Sequence, residues 1–188
     1  MKFIDLVQKR YSVRKYAETA LDAADIQACL EAARLAPSAC NSQPWHFIVV
    51  DDPAILPAAQ EAAVGRPVAI NKFALQAPVL VAVVQEKAKL SANLGAAVRG
   101  HSYAHLDIGI AVGQFCLEAA ERGLGTCILG WFNEAAIRRL LHIPRSKRIP
   151  LLLTLGYPAA DSQPTVKKRK SLDEMSSRNR YREKTQYE

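Results

Sequence analysis

Residues Pro78-Val-Leu-Val-Ala-Val-Val84 make an unbroken apolar run, rich in valine and bounded by polar sequence. A run of this kind reads as a strand buried on both faces, so the chain must cover it from two sides. Pro150-Leu-Leu-Leu-Thr-Leu155 is a second such strand, and residues 47–50 and 126–129 are shorter ones. Helical patterns alternate with them. Phe3, Ile4 and Val7 suggest a short helix ending near Arg10. Asp22 is a candidate N-cap for a helix whose apolar residues Ile26, Cys29, Leu30 and Ala33 recur at i, i+3, i+4 and i+7. Residues 53–63 are alanine-rich and begin with a proline, while Pro57 inside the same pattern is expected to break or kink it. Residues 102–121 are apolar almost all round and include Gly109 and Gly113, which predicts a central buried helix that another helix can approach closely. Asn133 is placed to cap a helix carrying Ile137, Leu140 and Leu141. Residues 85–101 give only a loop with some helix.

With 188 residues and 49% hydrophobic content, the chain fits one globular domain spanning 1–188. No apolar run approaches the ~18 residues of a membrane-spanning candidate. The longest stretch, residues 108–129, is interrupted by Gln114, Glu118, Glu121 and Arg122. The first ten residues mix acid and base without a signal-peptide core, so a cytoplasmic protein is expected. The four cysteines, Cys29, Cys40, Cys116 and Cys127, stand singly with neither C-x-x-C nor zinc spacing, and read as reduced thiols. Charge is uneven. Residues 163–188 hold eight Lys or Arg against four Asp or Glu, so this basic C-terminal extension carries +4 of the net +7. It lacks a core of its own, so it needs another surface to lie on or stays disordered. No nucleic-acid-binding fold motif accompanies it, and no nucleic-acid partner is expected.

The stretch Ala36-Pro-Ser-Ala-Cys-Asn-Ser-Gln-Pro-Trp-His46 is the candidate ligand loop. Pro37 closes the preceding helix and Pro44 forces an extended path into the first strand. Between them Ser38, Asn41, Ser42 and Gln43 offer donors and acceptors suited to the edge of a planar polar heterocycle. An ordinary connection rich in turn residues has the same composition.

Pro37-Ser-Ala-Cys-Asn-Ser-Gln-Pro-Trp45 resembles the P-S-x-x-N-x-Q-P-W signature of the FMN-dependent nitroreductase family. Arg10-Tyr-Ser-Val-Arg-Lys-Tyr16 is similar to that family's N-terminal R-x-S-x-R-x-[FY], and the likeness continues through Gly123-Leu-Gly-Thr-Cys-Ile-Leu-Gly-Trp-Phe132 to Lys167-Lys-Arg-Lys-Ser-Leu172. The resemblance implies an α+β fold of three-layer α/β/α type, a mixed sheet flanked by helices. It also implies a homodimer whose C-terminal tail is exchanged onto the partner, with FMN at the subunit interface.

No G-x-G-x-x-G or G-x-x-x-x-G-K-[ST] is present, so phosphate must be held by side chains. Arginine suits this through its planar fork of donors. The resemblance assigns the phosphate to Arg10 with Ser12, and to Lys167 with Arg169. Arg14 would face the flavin N1–C2 edge, where a cation raises the potential. Pro37, Ser38 and Asn41 would line the ring edge, with Gln43 supporting the loop. A backbone N–H of Leu129 or Gly130 would point at flavin N5, and Asn71 is the candidate for the pyrimidine edge. NADH or NADPH would then reduce FMN at N5, and the flavin would reduce a small-molecule acceptor, such as a nitroaromatic or quinone, by a ping-pong mechanism. The shorter sequence between residues 63 and 101 would leave a reduced lid and a permissive site. The alternative is a flavin-binding member acting as sensor, carrier or flavin-consuming enzyme without NAD(P)H turnover.

Rival chemistry is weaker. His101 and His105 sit four apart, but no Glu follows His101 and no third ligand is near in sequence, so no metal is expected. Ser38 and His46 are separated by Pro44, which disfavours a nucleophile–base pair.

Overall fold

The computed structural model describes residues 2–65, 67–88, 102–164 and 167–181. Four strands, β1 (Trp45–Val50), β2 (Val79–Gln85), β3 (Gly125–Leu129) and β4 (Arg148–Gly156), pair antiparallel in the order β1-β2-β4-β3. The six described helices are α1 (Phe3–Lys9), α2 (Ala23–Arg34), α3 (Leu56–Val64), α4 (Ala104–Glu121), α5 (Glu134–Leu140) and the single turn α6 (Leu172–Met175). Short 3-10 turns cover Ala39–Asn41 and Lys72–Gln76.

The apolar run is the middle of this sheet. Val81 pairs with Val49 on one side and with Leu153 on the other. Successive β2 side chains face opposite ways, as the strand period requires. Leu80, Ala82 and Val84 pack with α3 and α5 through Ala59, Ala63 and Ile137, while Val79, Val81 and Val83 pack with α2 and α4 through Cys29, Ile108 and Phe115. The result is the expected α+β arrangement of helix, sheet and helix layers. Phe115 stacks on Phe47 with centroids 5.9 Å apart, fastening α4 to β1. Asp22 caps α2 by accepting from the Ala24 N–H at 2.9 Å, and Asn133 caps α5 by accepting from Ala136 at 3.0 Å.

Some details depart from the sequence expectation. The sheet strands are antiparallel throughout, and among the described residues the parallel pairing is one isolated bridge, Ser12 to Thr126. The helix expected from residue 53 begins at Leu56, because Pro57 occupies its first turn, where a missing N–H is harmless. Helix α4 is not covered all round: Leu106 is 59% and Ile110 43% exposed, and Gly109 shares their side. Most of 85–101, including His101, lies outside the described residues. Among those described, no helix is long and apolar enough to cross a membrane, and no three His, Cys, Asp or Glu side chains are grouped to hold a metal.

Candidate functional site

The N-terminal motif lies flat along β3. Val13 N–H donates to the Thr126 carbonyl at 3.0 Å. This closeness depends on Gly125, since a Cβ there would stand 2.4 Å from Val13 Cγ2. Beneath it, the Tyr16 hydroxyl donates to the Val13 carbonyl at 2.9 Å and lies 2.6 Å from Thr154 Oγ1. Burial, the largest effect on this phenol, pushes its pKa up and keeps it neutral. Residues 10–16 are therefore a fixed rail presenting Arg10, Ser12 and Arg14.

A cation from the far end of the chain, Lys167, meets that rail, with Arg169 close enough to Lys167 to act on its charge. Lys167 Nζ donates to the carbonyls of Arg10 and, at 3.0 Å, Gln8, filling acceptors left open at the end of α1. The Lys167 pKa is lowered, first by desolvation and then by Arg10 and Arg169. Among the described residues, no ion pair involves Arg10, Lys167 or Arg169. Like charges brought together with no carboxylate between them are the donor set of an anion site. Arg14 takes a separate direction, its guanidinium carbon 5.7 Å from the centroid of Phe73.

The loop between α2 and β1 is strained. Cys40, Asn41 and Gln43 have φ of 52°, 49° and 47°, in the left-handed region that non-glycine residues seldom enter. The surroundings hold it there. Ser38 Oγ accepts from the Gln43 N–H at 2.9 Å, and Gln43 Nε2 donates to Asn41 Oδ1 at 2.9 Å. The carboxylate of Asp107, 6% exposed on α4, accepts from the Ala39 N–H at 3.2 Å. The sequence reading missed Asp107; its signal is a lone acid in the first turns of an apolar helix. Pro37, Asn41 and Gln43 are left exposed, Ser38 half-buried.

At the end of β3, Leu129 is buried and Gly130 exposed. A Cβ on Gly130 would meet nothing within 4 Å, and its φ is not positive, so neither packing nor backbone demands glycine there. Asn71, 8% exposed, has its amide donors on the carbonyls of Trp131, at 2.6 Å, and Ala63, at 3.2 Å. Its Nδ2 thus ties α3 to the turn after β3, a scaffold role not foreseen for the candidate pyrimidine contact. Cys40 is exposed; Cys29, Cys116 and Cys127 are buried, and desolvation raises all three thiols, Cys29 to about 12.

Within one chain, Arg10, Ser12, Lys167 and Arg169 gather at the α1–β3 corner, and Asn71 and Gly130 meet around Trp131. The ligand loop is tied to α4, and among the described residues no hydrogen bond joins it to either group.

The sequence model of the nitroreductase family matches residues 7–157. A protein named NADH dehydrogenase from Thermus thermophilus is 32% identical over 184 residues, covering 84% of this chain and 87% of that one. A solved nitroreductase family protein from Clostridium novyi NT superposes with a TM-score of 0.73 at 29% identity, covering 85% of this chain and 87% of the other. The fold also matches an oxidised iodotyrosine deiodinase bound to FMN and 3-iodo-L-tyrosine, with a TM-score of 0.77 at 24% identity over 96% of this chain and all of that one.

Proposed function

The chain belongs to the nitroreductase family, and from that premise we propose an FMN-dependent oxidoreductase driven by NADH or NADPH. When bound, FMN would supply the redox chemistry, a two-electron relay between a nicotinamide donor and a nitroaromatic, quinone or similar acceptor in a ping-pong cycle. The residues do the holding and the tuning. Arg10 and Ser12 from one end of the chain, and Lys167 and Arg169 from the other, hold the phosphate. Arg14 puts a cation at the N1–C2 edge of the ring. Gly130, open on its side-chain face, would let the ring approach the backbone whose N–H is assigned to N5. Asn71 braces that turn and offers its carbonyl oxygen to the pyrimidine edge.

The ligand loop, with Pro37, Ser38, Asn41 and Gln43, is polar, braced by its own hydrogen bonds and, among the described residues, not hydrogen-bonded to the phosphate cluster of its own chain. That arrangement supports a homodimer in which the loop of one protomer completes the site of the other, each chain being one domain.

The observation that carries the reading is the crowding of Lys167 by Arg10 and Arg169, cations with no carboxylate partner among the described residues. The test is direct. The purified protein should be yellow, and anaerobic NADH or NADPH should bleach its flavin. A yellow protein that neither nicotinamide bleaches would be a flavin carrier or sensor, and a colourless one that fails to take up added FMN would end the proposal.

A further inference from the structure

Trp131 is large, 47% exposed and immobilised at three points. Its indole N–H donates to the Val68 carbonyl at 3.2 Å. Its own carbonyl accepts from Asn71 Nδ2 at 2.6 Å. Its ring lies so close to Gly65 that a Cβ there would stand 2.5 Å from Cδ1. Gly65 itself has φ of 87°, a second reason for glycine at that place. An exposed aromatic ordinarily moves among rotamers; this one has its polar atoms satisfied inside the chain, leaving a π face and no donor to offer.

Its neighbours share this character. Val68 is 57% and Ile70 58% exposed, on the segment that the indole N–H holds down. Gly130, next in sequence to Trp131, opens onto free space where a side chain would otherwise project. The patch is thus a stiff aromatic plate with an apolar edge, beside the backbone assigned above to the flavin ring.

We propose that Trp131, with Val68 and Ile70, is a fixed shelf that selects flat, uncharged aromatic acceptors, such as a bicyclic quinone, over compact charged ones. The proposal deepens the flavin oxidoreductase reading and rests on it for the word acceptor. A planar ring stacked on an indole gains dispersion and removes apolar area from water. A highly charged, strongly hydrated complex gains neither. The occupant is a small ring and not a protein, because the plate is one indole wide with only Val68 and Ile70 at its apolar edge.

The experiment uses the protein as purified, with two readouts. Calorimetry measures binding of 2-naphthol, a flat neutral ring that the enzyme cannot reduce. Steady-state kinetics gives the ratio of kcat/KM for 1,4-naphthoquinone to that for ferricyanide. In Trp131→Ala, naphthol binding should weaken about tenfold and the ratio should fall by a similar factor, the scale of one aromatic stacking contact. Trp131→Phe should keep both within about threefold, since a smaller ring still stacks. Unchanged naphthol binding in Trp131→Ala overturns the shelf. So does equal loss towards both acceptors, or a change of sedimentation coefficient, which would make Trp131 an interface residue. Failure of the parent reading looks different: wild-type flavin is then absent or not bleached, whatever naphthol does.

Discussion

Arg14 is exposed, yet its guanidinium is placed by the Phe73 ring. That contact is worth about 0.5–1 kcal/mol at an accessible site, enough to bias a long side chain without locking it. If Arg14 faces the electron-accepting edge of the flavin, removing its charge must disfavour the reduced cofactor. Arg14→Ala should lower the two-electron potential of bound FMN by several tens of millivolts, where ~30 mV corresponds to about 1.4 kcal/mol. Phe73→Leu keeps the charge and loosens its placement, so it should shift the potential in the same direction by a smaller amount. Potentiometric titration of both variants checks the pair. An unmoved potential in Arg14→Ala removes its assigned role, and a larger shift in Phe73→Leu than in Arg14→Ala would contradict the ordering.

At the scale of elements, the site depends on how closely residues 10–16 approach β3. Gly125→Ala places a methyl 2.4 Å from Val13 Cγ2, and Thr126 and Thr154 pin the rail on either side of that point. Overpacking of this kind costs about 1–3 kcal/mol. The variant should show a lower Tm by calorimetry and weaker FMN retention on dialysis; a Tm and flavin content equal to wild type would mean that the rail is not pressed against the strand. This dependence was hidden in the sequence, where Gly123-x-Gly125 reads as a helix stop followed by strand entry. Only the first half of that reading is visible locally: Gly123 has φ of 77°, whereas the role of Gly125 lies in a neighbour 112 positions away. The same division runs through the fold. Strands announced themselves by apolar runs, and Asp22 and Asn133 by the capping chemistry of their own helices. The ligand loop was legible as a motif, but its left-handed Cys40, Asn41 and Gln43 and its tether to Asp107 were not, because tertiary contacts impose them. What covers the outer side of α4 was not legible for a related reason: periodicity shows that a face is apolar, not which body covers it.

For the whole molecule, the proposed phosphate site requires the head and tail of the chain to meet, and on that proposal binding should depend on pH. The folded Lys167 pKa lies below the ordinary lysine value, through desolvation first and like charge second. Its charge is therefore lost earlier than usual as pH rises, and a bound phosphate opposes that loss. Affinity for FMN relative to riboflavin, which lacks the phosphate, should fall on going from neutral to alkaline buffer; Lys167→Ala should flatten the dependence, and an equally steep fall in that variant would place the titrating group elsewhere. Assembly sets the second requirement. Glycine inside a helix is less favourable than alanine by about 1 kcal/mol, yet Gly109 and Gly113 interrupt α4 where a Cβ would meet nothing within 4 Å. Leu106 and Ile110 are exposed beside them, and Gln114 Oε1 is buried without a hydrogen-bond partner among the described residues. Small residues, bare apolar side chains and an unanswered acceptor on one helix are what a closely approaching second copy would explain. Gly109→Leu should then turn a dimer into a monomer by sedimentation equilibrium and release FMN with it, since in the proposed homodimer each site draws its ligand loop from the other protomer. A dimer that persists with full flavin content would show that α4 is not where the copies meet, and a monomer that keeps its flavin would show that one chain suffices to hold it.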